Sequence, residues 1–578
     1  MRYRVRVLMA SALAVGLAVT GCAKNTGGNN KNDGGASKQQ AIVIDKDGTS
    51  PVPAPDIPGA KPGGTLYWLE DGATEHLSPQ QIYVTDASSI GTLVHRTLTT
   101  YIEDPNGGPL KVVGDLATNA GQSSADGKTW TYKLRDGIKF EDGTAITSKD
   151  IAYGIARSFG KYGEQGPQYL QNALDPDRKW KPDQGDVPPG VTLPDDKTIV
   201  FTYKEAHPET PYVMAMFTST PVIKAHDTGD KYESKWDSTG PYMEDGTYDQ
   251  STKLKLKKNP NWDPKTDPAR HQYADAWVFD FSPNRNDQTQ RLIADQGPDQ
   301  TAVGTANVAQ AQIATVQADA NLSKRTASAP TPYNDYININ TTRVTDLKVR
   351  QALNYAFDRG AYITALGGSA VASPSTTLLA PVVPGYKKYD QYPSADGHGD
   401  VAKATALLAG QKPKLTYCFA NTVTQQQYAV VIQQSLARAG FDIVLNPVDK
   451  AAYYTTIGDK TTTCDIMRYG WGQDYPDGAS TLDVLFNGEH IVAKGNQNTS
   501  YLNDSDTNKT LDALGKELDR SVAATKYAQL DQDIMTKLAP TIPNFVNRAF
   551  ILHGSKVGGG FISPIYANYN LVNLYVIS

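Results

Sequence analysis

The chain has 578 residues, of which 39% are hydrophobic and 20% are charged, as in a soluble globular protein. This length is too great for one hydrophobic core and predicts two or three domains. The net charge of −5 comes without clusters of basic residues, which argues against nucleic acid as a partner. After the apolar run near the N-terminus, at residues 7–19, no stretch of the sequence approaches 18 apolar residues. We therefore expect no membrane-spanning helix in the rest of the chain.

The N-terminus predicts export. Three arginines within the first six residues precede an uncharged apolar run at residues 7–19, which is a secretory signal pattern. Residues 17–22 read Leu-Ala-Val-Thr-Gly-Cys, and small residues directly before a cysteine resemble the bacterial lipobox. We therefore expect a lipoprotein signal peptide at residues 1–22, a lipid on Cys22 and a place on the extracytoplasmic face of the bacterial cell membrane. The alternative is an ordinary signal peptide with a chance cysteine.

Residues 23–60 are predicted to be a disordered tether. They are rich in Gly, Asn, Lys and Asp, and then in Pro, with few large apolar side chains. Such a segment cannot bury enough apolar surface to offset the entropy lost on ordering.

Two cysteines, Cys418 and Cys464, follow the predicted lipid site. Two thiols in an oxidising compartment predict a disulfide. The strand register opposes it, because Cys418 lies late in a predicted strand and Cys464 lies just before another. A bridge and two free thiols both stay open at this point.

The first half of the chain is predicted to be rich in strands. Residues 63–68 form a first strand, and Asp-Gly pairs at three points within 126–144 indicate tight turns around two alternating strands. Thr147 is predicted to cap a helix, with Asp150 as the reciprocal partner. Further strands are predicted at residues 195–203, 254–256 and 278–281, and a helix at 288–295.

The second half alternates strands and helices. The predicted elements are a strand at 336–340, a helix after Asp346, a helix at 401–409, a strand at 414–419, a helix at 425–439 and strands at 441–448 and 465–469. Parallel strands need a crossover, usually a helix, so this order predicts a parallel α/β lobe. The chain returns to strand-like character from about Asn544 onward.

Five blocks of sequence, in order, resemble the family 5 extracellular solute-binding proteins, the peptide- and nickel-binding receptors of ABC importers. The blocks are residues 78–80, 126–159, 239–242, 349–359 and 470–477. One block alone would be a weak signal, but five in the same order make coincidence very improbable.

The resemblance implies an α/β fold of the periplasmic-binding-protein type, bilobed, with two mixed α/β lobes, an extra subdomain in lobe I and a two-strand hinge. The expected bounds are 61–333 and 544–578 for lobe I, 78–203 for its subdomain, 334–543 for lobe II, and 333–337 and 543–547 for the hinge strands. A ligand would bind between the lobes, and closure would bury it.

The last block carries the candidate binding residue, Asp474. It follows a predicted buried strand and stands between Trp471 and Tyr475, and a carboxylate in aromatic surroundings suits an ammonium group. In peptide-binding members of the family, the Asp at this place pairs with the α-amino group of the ligand. The substrate-binding residues implied by the resemblance are Asp474, Trp471, Gly472, Gln473, Tyr475, Phe545 and Asn547. A loop-capping role is the alternative for Asp474, and the family usually has a small residue where Gln473 stands.

Peptide capture for import is the function that the resemblance implies. The expected partners are a peptide ligand, an ABC permease with its ATPase subunits and, through the lipid anchor, the membrane; nucleic acid is not expected, and the protein is expected to be a monomer. The alternatives are capture of another solute on the same fold, such as an oligosaccharide or a nickel chelate, and a surface lipoprotein that senses or adheres without a transporter.

Enzymatic motifs are missing from the sequence. The eight histidines are scattered without metal-ligand spacing, and no Gly-x-Ser-x-Gly element is present. We therefore expect a binding protein that is not an enzyme and uses neither a cofactor nor a bound metal.

Overall fold

The computed structural model describes residues 42–246, 248 and 252–577. The predicted signal peptide, Cys22 and the first part of the predicted tether lie outside the described residues. Within these ranges, every helix is too short or too polar to cross a bilayer.

Short strands and helices alternate along the chain. The strands are β1 (Ile42–Ile44), β2 (Thr65–Leu69), β3 (Thr99–Ile102), β4 (Leu110–Gly114), β5 (Gln122–Ser123), β6 (Thr129–Lys133), β7 (Val191–Asp195), β8 (Thr198–Thr202), β9 (Tyr242–Glu244), β10 (Lys253–Lys258), β11 (Ala276–Asp280), β12 (Ala302–Gly304), β13 (Thr326–Ile339), β14 (Ala372–Pro374), β15 (Lys414–Ala420), β16 (Asp442–Val448), β17 (Ile466–Gly472), β18 (Thr541–Leu552), β19 (Val557–Gly558) and β20 (Tyr575–Val576). The helices are α1 (Thr85–Val94), α2 (Ser148–Arg157), α3 (Tyr169–Leu174), α4 (Thr210–Val213), α5 (Arg285–Ala294), α6 (Ile313–Ala318), α7 (Ala320–Lys324), α8 (Leu347–Ala356), α9 (Arg359–Leu366), α10 (Val401–Leu408), α11 (Val423–Ala437), α12 (Tyr453–Ile457), α13 (Ala479–Phe486), α14 (Ser505–Gly515) and α15 (Arg520–Lys537).

The larger sheets define the parts of the molecule. A five-stranded sheet, in the order β12-β2-β11-β10-β9, falls within the bounds predicted for lobe I, and a six-stranded sheet, in the order β14-β18-β13-β17-β15-β16, falls mainly within those predicted for lobe II. A four-stranded sheet, β5-β6-β8-β7, packs with α2 around its own apolar core. The fold is thus mixed α/β with a separate core for each sheet, and the predicted lobe and subdomain bounds stand as a proposal on this frame.

Two long strands pass from one core to the other. β13 and β18 pair antiparallel, with register shifts between Pro330 and Asn334 and between Asp335 and Tyr336. At one end of the pair, β18 contributes Ala549 to the core around the five-stranded sheet, whereas at the other end Ile542 belongs to the core of the six-stranded sheet. The hydrogen-bonded pair therefore connects the two halves.

The parallel arrangement predicted for the second half is confirmed for three strands. β15 pairs in parallel with β16 and with β17. The sheet as a whole is mixed, because β13 runs antiparallel to β17. The two alternating strands predicted within 126–144 need correction: only β6 forms a strand there. The second half consists of turns, with Gly137 and Gly143 at φ values of 78° and 90° and an isolated bridge between Lys139 and Ala145.

The folded body begins earlier than the sequence indicates. Residues 42–60 fall in the predicted disordered tether, but β1 pairs in parallel with β4, and the Ser50 amide donates a 2.7 Å hydrogen bond to the Thr118 carbonyl. The reason is local: Ile42, Val43 and Ile44 have strong strand preference and extend the edge of a sheet that contains β4. Residues from 42 onward therefore belong to the body.

Candidate functional site

The site is built where β17 ends. β17 runs antiparallel to β13 as far as the pair formed by Gly472 and Tyr333, and the chain then turns away from the sheet into α13. Glycine at position 472 is required by contact, because a Cβ atom there would lie 2.5 Å from the ring of Tyr333. The loop after this close approach carries Asp474 out of lobe II toward lobe I.

Asp474 meets two tyrosines that come from distant parts of the chain. The Tyr83 hydroxyl, before α1, donates a 2.8 Å hydrogen bond to one carboxylate oxygen of Asp474. The Tyr169 hydroxyl, at the start of α3, donates a hydrogen bond to the other. Both carboxylate oxygens are therefore held by neutral donors of lobe I, and the lobes are in contact across the cleft.

Burial raises the pKa of Asp474 to about 6, while the hydrogen bonds from Tyr169 and Tyr83 lower it. No cation contributes to this balance among the described residues. The ionised carboxylate thus bears an unneutralised charge in a place with restricted access to water, which is the situation that a ligand cation relieves.

A cavity of about 340 Å³ opens beside this carboxylate. Its wall is mostly aromatic and aliphatic, and the side chains with polar tips include Tyr83, Tyr101, Tyr333, Gln497 and Tyr566. Among the described residues that line it, Asp474 alone is charged. A mainly apolar cavity with a few convergent polar groups has the composition of a small-molecule or peptide site.

Three of the predicted site residues beside Asp474 also line this cavity: Trp471, Gly472 and Gln473. The Trp471 indole stacks on Tyr469, with ring centroids 6.4 Å apart, and its N–H donates a 2.7 Å hydrogen bond to the Ser480 carbonyl. These two contacts hold the Trp471 side chain in place as part of the cavity wall. The Gln473 side-chain oxygen is buried without a hydrogen-bond partner in the described part of the chain.

Tyr475 lies outside the cavity and fills a different place. Its ring stacks on Tyr212 at 5.7 Å and meets Tyr169 edge-on at 5.2 Å. Tyr169 falls in the predicted subdomain of lobe I, and Tyr212 falls in predicted lobe I just after that subdomain, so Tyr475 contacts both through its ring.

Phe545 and Asn547, on β18, do not line the cavity. Phe545 is 2% exposed and packs against Tyr362 in the core of lobe II, with ring centroids 6.0 Å apart. Asn547 pairs with Ala372 on β14, and its carbonyl accepts a 3.0 Å hydrogen bond from Thr331. Side chains alternate between the two faces of a strand, and the register of β18 directs Phe545 into the core. Both residues are left out of the site proposed below.

The structure joins Cys418 and Cys464 by a disulfide, with Cα atoms 5.7 Å apart. Cys418 stands opposite Met467 in the parallel pair of β15 and β17, and Cys464 lies two residues before β17 begins. The two cysteines are therefore close enough for a bridge despite their positions along the strands. Whether they are oxidised in the exported protein stays a prediction.

Clusters of three or more His, Cys, Asp or Glu side chains that could hold a metal do not occur within residues 42–246, 248 and 252–577. The acidic group nearest to Asp474 along the chain, Asp477, is committed to an ion pair. The Arg520 guanidinium donates hydrogen bonds of 2.6 and 2.9 Å to its carboxylate, and both side chains are buried. Asp477 therefore anchors the loop after β17 to α15.

Known proteins resemble this chain over most of its length. A protein from Shigella flexneri named glutathione-binding protein GsiB is 26% identical over 464 residues, which are 76% of this chain and 82% of that protein. The solved structure titled clavulanic acid biosynthesis oligopeptide binding protein 2 is 27% identical, with a TM-score of 0.84 over 90% of this chain and 96% of that one.

A solved structure from Helicobacter pylori, the ABC transporter-associated periplasmic binding protein DppA in complex with the peptide STSA, shares the fold. It has a TM-score of 0.69 at 19% identity, over 90% of this chain and 99% of that one. The family model described as bacterial extracellular solute-binding proteins, family 5 Middle, matches residues 111–492, which is more than half of the chain. The chain belongs to the bacterial extracellular solute-binding proteins of family 5.

Proposed function

We propose that the protein captures peptides with a free N-terminus in its interlobe cleft and delivers them to the permease of an ABC importer. The observation that carries the proposal is the carboxylate of Asp474 on the cavity wall, held by hydroxyls and lacking a cationic neighbour among the described lining residues. Similarity to the oligopeptide-binding protein named above supports the same ligand class.

A half-buried carboxylate selects its ligand by charge. Taking an ammonium group out of water is costly unless an opposite charge and hydrogen bonds replace its hydration, and Asp474 supplies both. A neutral oligosaccharide would pack on the aromatic wall but would leave the charge of Asp474 uncompensated. The peptide is therefore the better fit to the cleft.

The position of Asp474 also links capture to closure. A ligand cation that binds Asp474 of lobe II while touching Tyr83 and Tyr101 of lobe I favours the closed state. A permease that recognises this state receives loaded protein in preference to empty protein. We further propose that the receptor acts as a monomer and that a lipid on Cys22 holds it on the outer face of the membrane.

The test is a double-mutant cycle by calorimetry with trialanine and N-acetyl-trialanine as probes. Asp474→Asn should weaken binding of trialanine by roughly a hundred- to several-thousand-fold, because breaking a buried charge pair on one side costs about 3–5 kcal/mol. N-acetyl-trialanine should bind the wild type poorly and lose little further on mutation.

The matched control is Asp136→Asn, since the Asp136 carboxylate is fully exposed and pairs with Lys197 at the surface. It should leave both affinities unchanged. Additive losses in the cycle would mean that the ammonium group and Asp474 do not meet. Tight binding of a neutral oligosaccharide together with no peptide binding would replace the proposal by sugar capture.

A further inference from the structure

An apolar cluster at the edge of the cleft contains residues from β1, from predicted lobe I and from predicted lobe II. Its buried members are Val112, Ala120, Tyr212 and Tyr475, and Ile42, Ile44, Tyr101, Tyr169 and Met216 pack against it. We call this group the interlobe cluster. Tyr475 comes from lobe II, whereas Ile42 and Ile44 come from β1, the first described strand of the chain.

β1 presents alternate residues to the cluster and to solvent. Ile42 and Ile44 are partly buried against the cluster, and Val43 between them is 46% exposed. This is the alternation of an edge strand with one apolar face. The strand is held in register by β4, where Ile44 stands opposite Val112.

The chain after β1 is tied to lobe I by hydrogen bonds and also faces lobe II. The Asp45 amide donates a 2.9 Å hydrogen bond to the Val112 carbonyl, and its carbonyl accepts a 2.8 Å bond from Ala120. Burial lowers the pKa of Lys46, and the charge of Arg520 on α15 of lobe II lowers it further. The segment at the end of the predicted tether thus lies where the two lobes meet.

Tyr475 occupies this cluster because of how the lobes are arranged. Its ring, 5% exposed, sits against Tyr212 and Tyr169, and the residue before it is Asp474. Separating the lobes would expose the ring and take Asp474 away from Tyr83 and Tyr169. Lys516 and Glu205 also meet across the cleft at 2.6 Å, but both are exposed, and exposed ion pairs contribute little. The apolar cluster therefore dominates this contact.

We propose that β1 is a positioning element of the cleft. Ile42 and Ile44 complete the interlobe cluster in which Tyr475 is buried, and so favour the closed arrangement in which Asp474 faces the cavity. For the effect on ligand affinity, the inference rests on the proposed peptide capture; for the effect on lobe closure, it does not. Apparent affinity scales with the fraction of molecules in the binding-competent state. Weakening the interlobe cluster therefore lowers the affinity for the ligand, although no residue of β1 lines the cavity described above.

The experiment compares the mature full-length protein with Ile42→Ser/Ile44→Ser. X-ray scattering without ligand should show a larger radius of gyration for the variant, and calorimetry with trialanine should show binding weaker by about tenfold, as expected from the loss of partly buried apolar area. Ile42→Val/Ile44→Val keeps the apolar face and should behave as the wild type.

Val43→Ser is the matched control, because it changes the same strand on its exposed face. It should leave the radius of gyration and the affinity unchanged. Tyr475→Ser removes the member that predicted lobe II contributes to the interlobe cluster, so adding it to the double serine variant should cause little further opening. If the double serine variant fails to fold, Ile42→Ala/Ile44→Ala replaces it with the same expectations.

An unchanged radius of gyration in the folded variant, or fully additive effects of the β1 and Tyr475 changes, would overturn the inference. Absence of trialanine binding in the wild type would count against the proposed function instead. The scattering comparison would still decide the role of β1.

Discussion

At the scale of single residues, the cleft centres on a carboxylate whose charge is only partly stabilised by the protein. Tyr83 and Tyr169 hold the side chain of Asp474 in place, but hydroxyl groups cannot neutralise it. Burial keeps the pKa of Asp474 near 6, so its charge state changes within an accessible pH range. Ligand capture should therefore depend on pH.

Affinity for trialanine should fall as the pH drops below about 6. A bound ammonium group favours the ionised carboxylate, so the pKa of Asp474 is lower in the complex than in the free protein, and protons compete with the ligand. At pH values below the pKa of Asp474 in the free protein, the loss of affinity approaches about tenfold per pH unit. Burial also raises the pKa values of Tyr83 and Tyr169 above their usual range, so neither titrates here.

Calorimetry between about pH 7 and about pH 5, where the α-amino group of the peptide stays charged, measures this dependence. Asp474→Asn serves as the control, and its weak residual binding should be flat over the same range. An affinity that stays constant, or that rises as the pH falls, would contradict the assignment of Asp474 as the charged partner.

The sequence singled out Asp474 as a candidate but could not predict its hydrogen-bond partners. Asp474 stood in a block that resembles a known family, and the structure brings it to the cavity with Trp471, Gly472 and Gln473. Tyr83 and Tyr169 are separated from it by 391 and 305 positions, and the sequence holds 32 tyrosines without a pattern that singles these two out. Only the folded arrangement of the lobes identifies them.

At the scale of elements, the sequence predicted helix ends well where capping depends on residues a few positions apart. Thr147 caps α2, and the Thr147 amide donates a 2.8 Å hydrogen bond back to the Asp150 carboxylate, as the residue types indicated. Strand-like runs at sheet edges were harder to predict. β1 was assigned to a disordered tether because its three apolar residues follow a polar segment, and their pairing partner, β4, comes more than sixty residues later.

The link between β15 and the segment before β17 should be covalent in the exported protein. Peptide mapping without reductant should recover Cys418 and Cys464 in one linked pair, and Cys418→Ala/Cys464→Ala should destabilise lobe II. The bridge closes a loop of 46 residues, for which chain entropy predicts roughly 4 kcal/mol at most.

The wild type unfolded with and without reductant gives the control for this comparison. The double alanine variant should be insensitive to reductant. Two thiols that react with an alkylating agent in the exported, folded protein would contradict the bridge.

At the scale of the whole molecule, the predicted anchor decides where capture happens. Cys22 lies outside the described residues, and the prediction rests on the small residues that precede it. Cys22→Ser should give unprocessed or released protein, because the acyl chains that hold it to the bilayer would be missing.

Partitioning of both forms between detergent and water measures this effect. Asp136→Asn, which leaves both the predicted lipobox and the disulfide untouched, is the control and should partition like the wild type. Equal recovery of wild type and Cys22→Ser in the aqueous phase would argue against lipidation.

The crossing of β13 and β18 has a consequence for how ligand preference can change. In the predicted two-strand hinge, relative movement of the lobes bends this ladder, which is irregular between Pro330 and Asn334 and again at Asp335 and Tyr336. The cavity wall is built largely from loops outside the ladder, such as the one that follows Gly472. Tyr333 of β13 is both part of this ladder and part of the cavity wall, but most of the wall lies on other segments, so substitutions there can change ligand preference without altering the strands that bend.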